Sequence, residues 1–216
     1  MLPNKEYYIF DFDGTLFNSL AVFGQIDNMI MKKYNISFNR HQYEDRIGGL
    51  SIKKFTEFLT KEFKLDVQPQ QIYKDRLDAF TAQIKQIQFI DGAIQFLKLL
   101  KSQGKKVGIA SATDPDYFKI ITSTYPELIE LTNNTIVTCY EVGKSKPDPS
   151  VYLECLNRLG GNINDGIVFE DSYPGIQGAK ASGMFVCGII SDKRSFEKKT
   201  ELCDAYAENF LQFLVQ

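Results

Sequence analysis

Apolar and polar positions follow two different rhythms along this chain. Short runs rich in β-branched and aromatic residues have the length and continuity of buried strands: Tyr7-Tyr8-Ile9-Phe10, Val107-Gly108-Ile109-Ala110, Thr135-Ile136-Val137-Thr138, Gly166-Ile167-Val168-Phe169 and Phe185-Val186-Cys187-Gly188-Ile189. Between them, apolar residues recur at helical spacing. From Ala93 to Gln103, for example, Ile94, Leu97 and Leu100 share a face until Gly104 ends the pattern. Five strands alternating with helices predict an α/β fold, a Rossmann-like parallel sheet with helices on both faces. In such folds, ligand groups collect at the carboxyl ends of the strands.

Residues 17–88 break the alternation. They contain no convincing strand but several helical patterns, at Ala21 to Lys33, Ile52 to Phe63 and Gln70 to Gln86. The expected organisation is therefore an α/β core domain of residues 1–16 and 89–216 with an inserted helical cap at 17–88. The chain rejoins the core at Phe89-Ile90-Asp91-Gly92-Ala93, where a glycine suits a hinge.

A chain of 216 residues is long enough for one hydrophobic core with a modest insertion. The formal net charge of −2 offers no general attraction to nucleic acid or to an anionic membrane, and neither is an expected partner. No apolar run is long enough to span a bilayer, and the start lacks a basic stretch followed by an apolar one, so a cytoplasmic location is expected. Cys139, Cys155, Cys187 and Cys203 lie far apart without a C-x-x-C pair and read as free thiols. The lone histidine, His41, sits in a polar segment, which excludes a histidine-rich metal site.

The candidate chemistry lies at the strand ends. Asp11 leaves the first predicted strand and Asp13 follows in the turn Asp11-Phe12-Asp13-Gly14-Thr15, so two carboxylates can reach one site. One carboxylate can attack a phosphoryl group while the second protonates the leaving alkoxide and later activates water; Asp11 suits the first task and Asp13 the second. Taken singly, each acidic or hydroxyl residue at these strand ends has an ordinary alternative as turn or helix-capping chemistry. Their joint order favours a site, since all follow apolar strands.

Asp11-Phe12-Asp13-Gly14-Thr15-Leu16 after an apolar strand resembles the first motif of the haloacid dehalogenase superfamily, and three further motifs follow in order. Ile109-Ala110-Ser111-Ala112-Thr113 is similar to the second, Gly143-Lys144-Ser145-Lys146-Pro147-Asp148-Pro149 to the third, and Val168-Phe169-Glu170-Asp171-Ser172 with Pro174-Gly175-Ile176-Gln177-Gly178-Ala179 to the fourth. The resemblance implies a Mg²⁺-dependent phosphatase acting on a phosphate monoester through an aspartyl-phosphate. It implies that Ser111 and the backbone at Ala112 bind a phosphoryl oxygen, and it selects Lys146 over Lys144 to offset the charge of phosphate and Asp11. Metal binding is implied for the Asp11 side chain, the Asp13 backbone carbonyl, Asp171, and Glu170 either directly or through a water, oxygen ligands of the kind Mg²⁺ prefers.

An insertion soon after the first motif resembles the C1-capped branch, which implies small phosphorylated metabolites as substrates, as in phosphoglycolate phosphatase. Arg46, Ser51, Lys53 and, beside the second motif, Thr113 are the candidate substrate contacts outside the core motifs, with solvated surface charge the preferred reading for the cap lysines and helix capping the alternative for Thr113. The β-phosphoglucomutase branch is the alternative, but Phe23 and Ile52 stand where that branch carries a proton-shuttling histidine and a phosphate-gripping arginine, so hydrolysis is preferred. A non-catalytic binding protein on the same fold is the reading from a different class. Lys98, Lys101, Lys105 and Lys106 are expected to form a solvated surface, and a monomer or small homo-oligomer is expected.

Overall fold

A computed structural model describes residues 2–39, 42–43, 51–190 and 196–214. The five predicted strands form within one residue of their expected ends: β1 (Tyr7–Phe10), β2 (Lys106–Ser111), β3 (Ile136–Thr138), β4 (Gly166–Glu170) and β5 (Phe185–Ile189). A sixth, β6 (Ala205–Ala207), was not anticipated. The tripeptide Ala-Tyr-Ala has no β-branched residue. It becomes a strand by pairing with β5, Cys187 opposite Ala205 and Ile189 opposite Ala207.

All six strands are parallel, in the order β3-β2-β1-β4-β5-β6. From β1 the chain builds outward on one side through β2 and β3, then crosses to the other side with β4. The reversal of strand order therefore lies beside β1, and its carboxyl end opens into the crevice where such sheets bind ligands. Phe10 is level with Ile109 on one neighbour and Phe169 on the other, and the Asp11 N–H donates to the Phe169 carbonyl at 2.9 Å.

Alternation along the central strands feeds two cores. Tyr8, Phe10, Ile167 and Phe169 face one layer, with Phe96 and Leu97 of the helix Ala93–Ser102. Ile9, Val168 and Val186 face the other, against Tyr152 and Cys155 of Ser150–Arg158 and Ile176 of Tyr173–Ala181. The Phe10 and Phe169 rings stack at 4.6 Å within the first of these layers. In chain order the helices are α1 (Leu20–Lys33), α2 (Ile52–Glu62), α3 (Pro69–Gln83), α4 (Ala93–Ser102), α5 (Pro115–Thr124), α6 (Glu127–Leu131), α7 (Cys139–Val142), α8 (Ser150–Arg158), α9 (Tyr173–Ala181) and α10 (Phe196–Thr200).

Between β1 and α4 the described residues contain helices and no strand, and α1 and α2 both pack on α3 around Ile26, Leu59, Ile72 and Phe80. The chain enters and leaves this helical segment along a shared path. Asn18 N–H donates to the Gln88 carbonyl at 2.9 Å, Ile90 N–H to the Leu16 carbonyl at 2.8 Å, and Phe17 bridges Phe89.

The four cysteines are free thiols. The lysines expected to be solvated are mostly paired: Lys98 with Glu127 at 3.7 Å, Lys101 with Glu130 at 2.5 Å and Lys105 with Glu6 at 2.7 Å. Lys105 corrects the expectation, because its side chain is only 10% exposed and its stem packs down while the ammonium meets Glu6. Among the described residues no helix is long and apolar enough to cross a membrane.

Candidate active site

The carboxyl edge of the sheet draws the four sequence segments together. Asp11 follows β1 and is buried, and Glu170, the last residue of β4, is fully buried. Lys146, in the loop between α7 and α8, joins them: its Nζ donates to Asp11 Oδ1 at 2.5 Å and to Glu170 Oε1 at 2.6 Å. Asp171 stands beside this pair, and Asp11, Glu170 and Asp171 offer carboxylate oxygens within 4.8 Å of one another. Thr15 Oγ1 donates to Asp171 Oδ1 at 3.2 Å.

Such crowding has an electrostatic signature. Burial lifts the Asp11 carboxyl well above the usual range; Lys146 pulls it back, while Glu170 and Asp171 push it further up. Asp171 is pushed up to about 7 by burial and then by Glu170. Burial alone would lower the Lys146 ammonium, but Asp11 and Glu170 hold it well above its ordinary value, so it stays charged. Three carboxylates around a single lysine form an oxygen-rich, negatively charged pocket that fits a small hard cation such as Mg²⁺. Glu170 has little capacity left: Oε1 accepts from Lys146 and from Tyr152 Oη at 3.1 Å, and Oε2 from Ser172 N–H at 2.8 Å and Ser172 Oγ at 3.0 Å. Asp11 and Asp171 therefore offer the more open oxygens.

Two glycines allow this packing. Gly14 has φ +90°, and a Cβ on it would lie 2.4 Å from Asp171 Oδ2. A Cβ at Gly175, in the first turn of α9, would lie 1.9 Å from Glu170 Oε1. The Pro-Gly step after the acidic pair thus lets the helix sit directly on a buried carboxylate.

Asp13 has a separate environment. Ser19 Oγ donates to its Oδ1 at 2.5 Å, and Thr113 Oγ1 donates to its Oδ2. Burial raises its carboxyl above the usual range, with these hydroxyls opposing the rise. Two aspartates two residues apart are thereby set differently: Asp11 against a cation, Asp13 against neutral hydroxyls. Ser111, the last residue of β2, is fully buried and its Oγ accepts from Thr113 N–H at 3.0 Å.

A cavity of about 420 Å³ opens beside these groups, between α2 and the loops after β2, β3 and β4. Ala112 and Lys146 line it, as does Ser51. Ser51 also caps α2, accepting from Lys54 N–H at 3.3 Å. Thr113, expected to contact substrate, instead spends its hydroxyl on Asp13. Lys53 reaches toward the core: its Nζ lies 3.8 Å from both Asp114 and Asp116, with Tyr73 Oη donating to the same carboxylates at 2.8 and 3.1 Å. Arg46 lies outside the described residues, as does His41. Phe23 stacks on Phe80 with centroids 5.5 Å apart.

Ser19, Tyr152 and Ser172 had not been anticipated as supporting groups. Ser19 occupies the N-cap position of α1 yet makes no side-chain cap bond, its hydroxyl being committed to Asp13. Ser172 does cap α9, donating Oγ to Glu170 while accepting from Gly175 N–H at 3.1 Å. A serine before a helix reads as a cap, and nothing local shows which carboxylate it will meet. Tyr152 carried no signal beyond helical spacing.

The haloacid dehalogenase-like hydrolase family model matches residues 8–189, which span every group just described. The chain is 29% identical over 183 residues to a bifunctional riboflavin kinase/FMN phosphatase of Arabidopsis thaliana, a match covering 85% of this chain and 48% of that protein, so about half the relative's length is represented. It is 24% identical over 204 residues to a probable pseudouridine-5'-phosphatase of Drosophila melanogaster, covering 93% of this chain and 87% of that one. Among solved structures, CbbY from Rhodobacter sphaeroides in complex with phosphate superposes with a TM-score of 0.80 at 18% identity, covering 97% of this chain and 96% of the other, a likeness of fold. The chain belongs to the haloacid dehalogenase-like hydrolases.

Proposed function

We propose that this protein is a Mg²⁺-dependent phosphatase that hydrolyses a small phosphorylated metabolite, a phosphate monoester, through an aspartyl-phosphate on Asp11. The observation that carries the reading is the unequal partnering of the two buried aspartates: Asp11 is held by the Lys146 ammonium, which favours its ionised form, while Asp13 is held by two neutral hydroxyls. An Asp11 oxygen attacks phosphorus as the bond to the leaving oxygen breaks, and Asp13 gives that oxygen its proton. Water then attacks the acyl phosphate, Asp13 takes the water's proton, and inorganic phosphate leaves with Asp11 regenerated. Lys146 offsets negative charge beside Asp11 throughout, and Ser111 with the Ala112 backbone orients the phosphoryl oxygens.

Asp11, Asp171 and the Asp13 carbonyl are the proposed metal ligands, with Glu170 holding Lys146 and supporting the cluster from behind. When bound, Mg²⁺ neutralises the carboxylates and incoming phosphate that would otherwise repel one another. Residues 17–88 serve as a cap over the core of 1–16 and 89–216, excluding bulky substrates and bulk water. The relatives, a bifunctional riboflavin kinase/FMN phosphatase and a probable pseudouridine-5'-phosphatase, support a phosphate monoester. Phe23, stacked in the helical segment, has no proton to transfer, which favours water over a sugar hydroxyl as acceptor.

The test is Asp11→Asn assayed on p-nitrophenyl phosphate with Mg²⁺. Turnover is expected to fall by about 10³-fold or more with an unchanged circular dichroism spectrum. Turnover within tenfold of native in purified protein would remove Asp11 as nucleophile.

A further inference from the structure

The cavity beside Lys146 offers far more room than a phosphate group takes, and its remaining walls describe what fills it. Ile52 from α2, Ala112 after β2, Tyr140 after β3 and Pro174 after β4 form an apolar surface, with Lys54 and Lys144 also lining it. Lys144 is paired with Asp148 at 3.2 Å, whereas Lys54 makes no ion pair among the described residues. Tyr140 is the large aromatic of this wall and is 57% exposed, unlike the buried rings that build the cores. An exposed tyrosine beside a catalytic edge is an amphipathic surface for a ligand.

The ring is braced. Lys53 Nζ lies 5.1 Å over Tyr140 and 5.2 Å over Tyr73, while Asp114 and Asp116 hold the same ammonium at 3.8 Å. The cation covers one face of Tyr140 and leaves much of the ring open. A braced aromatic within an apolar wall suits a flat partner with polar edges. Ser51 and Ser145, which line the same cavity, supply hydroxyls for the polar edges of such a partner.

We infer that Tyr140 is a specificity-determining residue that stacks on a planar nitrogen heterocycle in the leaving group, so that the preferred substrates are nucleotide-like phosphate monoesters. The inference rests on the phosphatase reading and narrows it. Base-on-aromatic stacking is a sequence-tolerant contact worth about tenfold or more in affinity, and binding energy from a remote part of the substrate is expressed in kcat/KM.

The experiment compares kcat/KM for uridine 5'-monophosphate with that for ribose 5-phosphate, which carries a hydroxyl in place of the base. The native ratio is expected to be about ten or more, to fall toward one in Tyr140→Ala and to be restored in Tyr140→Phe, which keeps the ring. Native protein that hydrolyses ribose 5-phosphate as well as the nucleotide overturns the stacking role alone, without recourse to any variant. A ratio unchanged in folded Tyr140→Ala does the same. Absence of turnover on both esters and on p-nitrophenyl phosphate overturns the phosphatase reading, and this inference with it.

Discussion

At the residue scale, the site depends on how closely neutral backbone can approach buried charge. Glu170 is fully enclosed, and its four protein hydrogen bonds replace the water it loses. Gly175 belongs to the same arrangement, since any Cβ would overlap the carboxylate. Gly175→Ala is therefore expected to destabilise the fold by about 1–3 kcal/mol, with a lowered Tm by calorimetry. Asn162 offers the contrast of a cap that serves its own turn, accepting from Asn164 N–H at 3.1 Å and donating to the Asp165 carboxylate.

At the scale of elements, the helical segment is held by polar ties between its helices as well as by its apolar stripe. Lys33 and Tyr34, at the end of α1, both donate to Asp75 on α3, as does Gln71 at 3.0 Å. Burial alone would raise the Asp75 carboxyl, but these donors outweigh it and hold the group below its ordinary value. A carboxyl depressed in the folded state binds its proton more readily in the unfolded chain. Its stabilisation is therefore complete above the unfolded value and is lost as pH falls through the folded one. Lys33 is half exposed, so solvent screens that part of the tie. Asp75→Asn is expected to lower the unfolding free energy by about 1 kcal/mol near pH 7, the difference from native protein shrinking toward about pH 3. Urea unfolding at the two pH values measures it, and an equal difference at both would remove the assigned role of the charge.

For the molecule as a whole, the sheet gathers like charge at one edge, and folding alone does not relieve it. Asp11, Glu170 and Asp171 converge on a single buried ammonium. A divalent cation that binds this arrangement and not the unfolded chain must stabilise the fold by linkage. Millimolar Mg²⁺ is expected to raise Tm by a few degrees and EDTA to reverse the rise. In Asp171→Asn the Mg²⁺-dependent increment should disappear. An increment of native size in that variant would place the cation elsewhere.

The strands and the helical segment after β1 were legible along the chain, because burial imposes a period on apolar residues, and a parallel sheet brings the residues after its strands to one edge. That edge grouped Asp11 with Ser111 and the Glu170-Asp171 pair, whereas the choice of Lys146 over Lys144 rested on the family resemblance. Tertiary structure alone decided what each group touches. β6 is a strand only because β5 offers it an open edge. Ser19 leaves its own helix for Asp13, Thr113 turns to the same carboxylate, and Lys53 of α2 braces Tyr140 after β3. Periodicity reports which face of an element is buried, whereas a hydrogen bond or a ring contact depends on the distance between elements, and that distance is set by packing the whole core at once.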